Sequence, residues 1–293
     1  MDQASSLRNI VKRNQAVAPN RARVITVTSG KGGVGKSNIS VNLAIQLRKK
    51  GKKVIIFDAD FGLANVEVIF GIVPKYNLFD IIYNNKTITE VLTNGPLGIE
   101  FLSGGSGVNE LLKLDHAQVN FLVQKLNELD KYADVIIIDT GAGISDAVIS
   151  FIYASNEIIL VTTPEPTSVT DAYAVLKAIK NNNIENVQKN INVLINRVVS
   201  DEEGLDIFNK LDKVSRKFLG LEIKNIGFLP EDKSLPRAVI EQKPVSILFP
   251  KSNITKALEK LSQNVLDNTL YVKDQQNGLS NIFTSILKRK DRR

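Results

Sequence analysis

Short apolar runs rich in valine and isoleucine alternate along this chain with longer stretches in which apolar residues recur every three or four positions. The first pattern predicts β-strands, and the second predicts amphipathic helices. Continuous apolar runs such as Val135–Ile138 are typical of strands covered on both faces, so the alternation predicts an α/β fold with a mostly parallel sheet. We predict strands at Val24–Ser29, Val54–Asp58, Ile99–Leu102, Val135–Asp139, Ile158–Thr163, Ile191–Asn196 and Ile223–Phe228, and helices at Lys36–Lys50, Val108–Leu129, Ser168–Lys180, Leu205–Phe218 and Asn253–Leu266.

The loop between the first predicted strand and the first predicted helix has the G-x-x-x-x-G-K-[ST] spacing of a phosphate-binding loop. It consists of Gly30, Lys31, Gly32, Gly33, Val34, Gly35, Lys36 and Ser37. Glycines let the backbone curl so that its N–H groups face phosphate oxygens, and the following helix N-terminus adds positive potential. Lys36 is placed to reach the β- and γ-phosphates of ATP, and the hydroxyl of Ser37 can ligate Mg²⁺. We therefore expect a Mg²⁺-dependent ATP hydrolase.

A second lysine, Lys31, directly follows the first glycine of this loop. In this feature the chain resembles the deviant Walker A ATPases, the family of MinD and ParA. The resemblance implies a three-layer P-loop NTPase fold whose sheet has about seven or eight strands flanked by helices. It also implies that Lys31 acts, with Lys36, in catalysis, by reaching the nucleotide of a facing subunit. An ATP-dependent homodimer of this kind would be a switch with slow hydrolysis.

Three aspartates follow predicted strands, where the ligands of open α/β sheets gather. Asp139 ends an apolar strand in the form of a Walker B aspartate, which holds Mg²⁺, although aspartate at a strand end is also a common turn or cap residue. The segment 57–65 resembles switch I of MinD-like proteins. That resemblance implies that Asp60 orients the attacking water and that Asp58 assists the water shell of the metal. The predicted metal ligands are thus Ser37, Asp58 and Asp139.

Residues after two later strands fall where MinD-like proteins contact adenine. They are Asn196, Arg197, Pro230, Glu231 and Asp232. An asparagine amide can pair with the edge of adenine through its donor and acceptor groups, but residues in these places can equally be structural turn residues. His116, the single histidine, lies in a predicted helix and is assigned to packing or solvent rather than to catalysis.

The C-terminal end of the chain combines an apolar helical face with a basic flank. Leu279, Ile282, Phe283, Ile286 and Leu287 recur at helical spacing and are followed by Lys288, Arg289 and Lys290. This pattern predicts a helix lying in an anionic membrane surface, and it resembles the membrane-targeting helix of MinD. Because a dimer carries two anchors, we expect a cytoplasmic protein that binds the inner face of the cell membrane in its ATP state. The alternative is a helix docked on the core.

The N-terminal end reads DQAxxLR, with Asp2, Gln3, Leu7 and Arg8 at its fixed positions. With the phosphate loop and the C-terminal pattern, it resembles the FlhG (YlxH/FleN) family, MinD-like ATPases that regulate flagellar placement and number. The resemblance implies that this element stimulates an FlhF-type GTPase, with Gln3 presented to the active site of that partner. It also implies flagellar switch (C-ring) proteins as partners, and partner surfaces near the predicted helix Ser168–Lys180.

The net charge of +7 is concentrated at the two ends of the chain. Residues 1–23 and 273–293 each carry +4, which leaves −1 on the body between them, so we expect no binding to nucleic acid. The sequence has no cysteine, which excludes disulfides and iron–sulfur ligation. We predict a partner-activating segment and linker at 1–22, an ATPase domain at 23–272, and a linker and membrane-targeting helix at 273–293. A MinD-type division-site regulator and a ParA-like DNA-partition ATPase are the alternative interpretations.

Overall fold

The computed structural model of the chain describes residues 22–61, 65–105, 116–155, 157–182 and 190–267. Eight strands form one sheet in the order β3-β4-β2-β5-β1-β6-β7-β8, and every neighbouring pair is parallel except β3 with β4. The strands are β1 Arg23–Thr28, β2 Val54–Ala59, β3 Thr93–Asn94, β4 Glu100–Ser103, β5 Val135–Thr140, β6 Glu157–Thr162, β7 Asn190–Val198 and β8 Lys224–Pro230. The mostly parallel α/β sheet predicted from the sequence is therefore confirmed.

Helices cover both faces of the sheet, which gives three layers. They are α1 Lys36–Lys49, α2 Asn65–Phe70, α3 Asp80–Tyr83, α4 Ile88–Val91, α5 His116–Asn127, α6 Asp146–Ala154, α7 Pro166–Asn181, α8 Asp201–Val214, α9 Ser234–Ile240, α10 Val245–Leu248 and α11 Asn253–Asp267. Apolar side chains of α1, α2, α10 and α11 pack on one face, and those of α5 to α8 pack on the other. The central strands are buried on both faces, because almost every residue of β1, β2, β5 and β6 is inaccessible to water.

The register of the central strands brings the candidate phosphate-binding and metal-binding residues together. β1 lies between β5 and β6, and β2 pairs with β5 so that Asp58 is directly opposite Asp139. In a parallel sheet all carboxyl ends meet at one edge, so the loops after β1, β2 and β5 converge there. The seven strands expected from the sequence are all present, and the two-residue strand β3 was not expected.

The other end of β1 is held by a buried ion pair. Arg23 bonds the carboxylate of Glu157, which starts β6, and its Nη1 donates to the main-chain oxygen of Val265 in α11 at 2.7 Å. Asn192 Nδ2 donates to the second oxygen of Glu157 at 2.6 Å. Burial raises the pKa of Glu157, and Arg23 acts against this rise. This network ties the sheet to the last turn of α11.

Candidate nucleotide and magnesium site

The phosphate-binding loop has the backbone shape that its glycines predict. Gly33 and Gly35 have positive φ angles of 74° and 99°, a left-handed conformation that side chains with a Cβ disfavour. Gly35 is the cap residue of α1, and no side chain satisfies the first N–H groups of that helix. These free N–H groups open into the loop, and together with the helix dipole they make a site suited to an anion such as phosphate.

One helix and one strand hold this loop in place. A Cβ on Gly30 would lie 2.1 Å from the main-chain oxygen of Asp171 in α7, so only glycine fits there. Asn196 Nδ2 donates to the oxygen of Val34 at 2.7 Å, and Arg197 Nη2 donates to the oxygen of Gly33 at 2.8 Å. Both side chains come from the end of β7.

A local distortion of β7 aims these two side chains. The pairing of β7 with β8 shifts register between Asn196 and Val198, and Arg197 at the shift has a φ of 60°. A positive φ in a residue other than glycine is uncommon and costs on the order of 1 kcal/mol, so such strain is concentrated at functional sites. Asn196 and Arg197 were predicted to contact adenine. The structure places both of them against the phosphate-binding loop.

The two lysines of the loop lie in different surroundings. Lys36 is 8% exposed, and burial lowers its pKa from the ordinary value of 10.5, while the nearby carboxylates of Asp139 and Asp60 act in the opposite direction. Lys31 lies at the surface, where its Nζ is 2.6 Å from Glu165 Oε2 and 2.9 Å from Thr167 Oγ1. The bond from Lys31 lowers the pKa of Glu165. Lys36 is therefore buried in the site, whereas Lys31 is held at the surface by residues that follow β6.

Asp139 is a fully buried carboxylate with one oxygen free of hydrogen bonds. Its Oδ1 accepts from Ser40 Oγ at 2.9 Å, while Oδ2 has no partner. Burial raises the pKa of Asp139 to about 6, although the hydroxyl groups of Ser37 and Ser40 and the ammonium of Lys36 lower it. A buried carboxylate oxygen without a hydrogen-bond partner destabilises the folded state unless water or a cation binds to it.

Asp58, its neighbour across the sheet, accepts three main-chain hydrogen bonds. Oδ1 accepts from the N–H of Asp60 at 3.2 Å, and Oδ2 accepts from those of Asn65 and Val66 at 3.1 Å each. Asp58 thus holds the start of α2. Burial, followed by the proximity of Asp139, raises the pKa of Asp58 to about 8, and the main-chain bonds act against this rise.

Asp60 lies across from the loop that follows β5. Its Oδ2 accepts from Asn65 Nδ2 at 3.2 Å, and its Oδ1 is 3.3 Å from the position of a Cβ on Gly141. The site therefore gathers three carboxyl groups: Asp58 lies beside Asp139 and Asp60, and the ammonium of Lys36 interacts with Asp139 and Asp60.

This surplus of negative charge fits a divalent cation. Two of the carboxyl groups have raised pKa values, and Asp139 Oδ2 has no hydrogen-bond partner. Within the described parts of the chain, no three or more His, Cys, Asp or Glu side chains are arranged so that they could hold a metal ion by themselves. Mg²⁺ in phosphate-transfer sites is bound by one or two protein oxygens, and substrate phosphates and water complete its shell. The donor set present here matches that arrangement.

The segment after β8 connects the site to α9 and α11. Glu231 N–H donates to the oxygen of Val198 at 3.1 Å. Asp232 accepts from the N–H groups of Ser234 at 2.8 Å and of Ile254 at 3.1 Å. Partial burial acts to raise the pKa of Asp232, but these hydrogen bonds outweigh it and hold the pKa below its usual value. Asp232 therefore serves as a cap shared by the two helices.

A small apolar gap separates this segment from the phosphate-binding loop. It is lined by Gly35, Asn196, Leu229, Leu235 and Ile254, with a volume of about 10 Å³, roughly the space of one water molecule. A base would fit between Asn196 and α9 only if the side chains of α9 and α11 moved apart.

Sequence reasoning did not find four of the residues that shape the site. Glu165 and Thr167 hold Lys31, Ser40 holds Asp139, and Asn65 bonds Asp60. Glu165 and Thr167 directly follow the end of β6, so the rule that functional groups follow parallel strands could have indicated them. The predicted partner residues Asp2, Gln3, Leu7 and Arg8 and the predicted membrane residues 279–290 lie outside the described residues. No helix in the described part of the chain is long and apolar enough to cross a bilayer.

A family model and individual known proteins match this chain over most of its length. A family model described as ParA, NUBPL iron-transfer P-loop NTPase, matches residues 20–266. The antiactivator FleN of Pseudomonas aeruginosa is 41% identical over 243 residues, which cover 83% of this chain and 86% of FleN. The flagellum site-determining protein YlxH of Helicobacter pylori is 33% identical over 295 residues, which cover 98% of each protein.

Among solved structures, the septum site-determining protein MinD of Pyrococcus horikoshii, complexed with Mg-ADP, superposes with a TM-score of 0.68. It is 24% identical and covers 87% of this chain and 99% of its own length, so the likeness concerns the fold. The iron-transfer part of the family description has no counterpart in cysteine ligands here, because the sequence contains none.

Proposed function

Because this chain belongs to the ParA/MinD family of P-loop NTPases, a relationship that implies ATPase activity, we propose that it is a Mg²⁺-dependent switch that regulates the placement or number of flagella. Two relatives support the flagellar assignment, since one is named an antiactivator, FleN, and the other a flagellum site-determining protein, YlxH. The second relationship extends over 98% of both chains, so it reaches beyond the residues 20–266 that the family model matches.

The observation that carries the ATPase proposal is the unpartnered oxygen of Asp139 beside the buried ammonium of Lys36. In this proposal the loop N–H groups and Lys36 hold the phosphates of ATP, and Ser37, Asp139 and Asp58 hold Mg²⁺ directly or through water. The metal would neutralise charge on the phosphates. Asp60 orients the attacking water, and the bond from Asn65 Nδ2 fixes one of its oxygens.

We propose a separate role for Lys31, which is to bind the ATP of a second copy of the chain and so make dimer formation depend on the nucleotide. Its ammonium is at the surface, where the partners that hold it among the described residues are Glu165 and Thr167. An exposed ion pair contributes at most about 1 kcal/mol, so a triphosphate offered by a facing protomer can displace these contacts. ATP would then favour a dimer, and hydrolysis would release it.

Size-exclusion chromatography with light scattering tests this switch. The wild-type chain should elute as a monomer with ADP and as a dimer with ATP and Mg²⁺. Lys31→Ala should remain monomeric with ATP although it still binds the nucleotide. Lys177→Ala, which removes an exposed lysine of α7, is the matched control and should dimerise normally. A Lys31→Ala variant that dimerises as the wild type does would refute the proposed role of Lys31.

We propose a cellular partner for each of the two terminal segments. We assign the residues Leu279–Lys290 to an anionic membrane, reached mainly by the ATP dimer, and the segment with Gln3 to the stimulation of an FlhF-type GTPase. Flagellar switch proteins are proposed to dock near α7. Deleting 279–293 should abolish binding to anionic vesicles, and Gln3→Ala should abolish GTPase stimulation while ATP-dependent dimers persist. Full stimulation by Gln3→Ala would refute the proposed role of Gln3, and a wild-type chain that does not stimulate the GTPase would favour a MinD-type division regulator instead.

A further inference from the structure

The last turn of α1, at the end of that helix opposite to Lys36, carries a dense basic cluster. Five of the six residues from 48 to 53 are basic: Arg48, Lys49, Lys50, Lys52 and Lys53. We call this cluster the basic end. The net charge of the domain is close to zero, so the concentration of positive charge here is a local feature of the surface.

Three segments that are distant in sequence meet at the basic end. Arg48 Nε donates to the oxygen of Leu97 at 2.9 Å. Lys49 Nζ donates to the oxygen of Ser246 in α10 at 3.1 Å, and Lys50 Nζ donates to Gln263 Oε1 in α11 at 3.0 Å. The loop 96–98, α10 and the last turns of α11 therefore surround the lysines.

Three exposed apolar side chains lie on or close in sequence to these segments. Gly71, which follows α2, touches the main chain of Gln242, because a Cβ there would lie 3.0 Å from the oxygen of Gln242. Two residues from this contact on either side are Val73, 90% exposed, and Ile240, 80% exposed. Leu97, 53% exposed, sits at a loop tip with a φ of 59°, a strained conformation for leucine.

We propose that this surface, which we call the basal surface, lies against an anionic bilayer, with Val73, Ile240 and Leu97 entering the interface and the basic end facing lipid headgroups. The proposal rests on the proposed membrane association and adds a contact made by the folded domain itself. Isolated side chains that protrude this far form no pocket for a rigid protein partner, whereas a fluid bilayer accepts them individually. Lysines near an anionic leaflet are attracted to it, but apolar tips add nothing to contact with a nucleic acid backbone.

The place where α11 ends agrees with this orientation. α11 ends at Asp267, one turn after Gln263, which bonds the basic end. The predicted membrane residues begin at Leu279, after the 11 residues 268–278. A chain of that length spans at most about 40 Å, so the segment can enter the same membrane that the basal surface touches.

Single cysteines test the contact directly, because the sequence contains none of its own. Val73→Cys and Ile240→Cys, each labelled with an environment-sensitive fluorophore, should brighten and shift to shorter wavelength when the full chain with ATP and Mg²⁺ meets phosphatidylglycerol vesicles. Phosphatidylcholine vesicles should give no change. Phe218→Cys is the matched control: Phe218 is 64% exposed with Lys217 Nζ 5.1 Å from its ring, and it follows α8, which packs on the face of the sheet opposite to α1.

The affinity of variants for anionic vesicles provides a second test. The double variant Val73→Ser, Ile240→Ser should bind the anionic vesicles about tenfold more weakly, whereas Phe218→Ser should bind as the wild type does. Both positions are exposed, so the thermal stability of the variants should be unchanged. A wild-type chain that ignores vesicles would overturn both this inference and the proposed membrane association. Normal wild-type binding with silent labels and unchanged affinity of the double variant would overturn this inference alone, as would labels that respond to duplex DNA and not to vesicles.

Discussion

The buried carboxyl group of Asp139 contributes to the pH sensitivity of the metal-free protein, and an amide in its place should remove that contribution while Asp58 keeps its own. An aspartate in the unfolded chain has a pKa of 3.8, whereas burial raises the pKa of Asp139 in the folded chain to about 6. Between these values the folded state binds the extra proton, so its stability falls as the pH rises and stays low above pH 6. The difference corresponds to about 3 kcal/mol, at about 1.4 kcal/mol for each pH unit.

We therefore expect Asp139→Asn to stabilise the metal-free chain by about 1 to 3 kcal/mol near pH 8. The gain should fall short of the full value, because the amide keeps an acceptor for Ser40 but puts an unpaired N–H where Oδ2 has no partner. Near pH 3, where the native carboxyl is protonated in both states, the gain should disappear. Mg²⁺ with ADP should stabilise the native chain clearly and the variant much less.

Urea unfolding in a chelating buffer, followed at both pH values, measures these differences. Glu259→Gln removes an exposed carboxylate of α11 and is the matched control, whose stability should change by less than about 0.5 kcal/mol. If Asp139→Asn destabilises the chain equally at both pH values, the charge of the carboxylate is not what the fold opposes. The inferred cation site would then lose its main support.

Two further predictions concern the water-orienting group and the ion pair at the other end of the sheet. Asp60→Ala should retain ATP-dependent dimers but slow phosphate release at least about 100-fold, and an unchanged rate would contradict its role in orienting water. Arg23→Ala should lower the free energy of unfolding by about 3 to 5 kcal/mol, because Glu157 would remain buried without its partner. Adding Glu157→Gln to that variant should recover part of the loss, and urea unfolding of the single and double variants would detect its absence.

The sequence predicted those parts of the site that depend on residues close together in the chain. The phosphate-binding loop is eight consecutive residues, and its glycines take the positive φ angles that the motif requires. Asp58 and Asp139 were expected at the same edge of the sheet. Their direct pairing across β2 and β5 depends on strand order, which local patterns do not contain.

The features that the sequence did not predict lack a distinct local pattern or depend on residues that are far apart in the chain. Helix α6, Asp146–Ala154, is a nine-residue stretch of mostly apolar residues, and the sequence pattern alone does not distinguish so short a buried helix from a strand. The bond from Lys31 to Glu165 joins residues 134 positions apart. The turn of Arg197 into a positive φ is imposed by the register shift of β7, and nothing in the residue type signals it.

Helix α1 links the nucleotide site to the basal surface in a way that restricts independent motion. Its 14 residues span about 21 Å, from Lys36 at the phosphate loop to Lys49 at the basic end. Ten of them are buried, and its polar side chains are fixed as well, since Gln46 donates to Ser246 Oγ at 3.0 Å and Asn42 accepts from the Ser246 N–H at 2.9 Å. A displacement of the phosphate loop that moves this helix must therefore carry α10 with it or break these buried hydrogen bonds, which cost about 1 to 3 kcal/mol each when left unmade. For that reason a change at the phosphates is expected to reach the basal surface as movement of a rigid body.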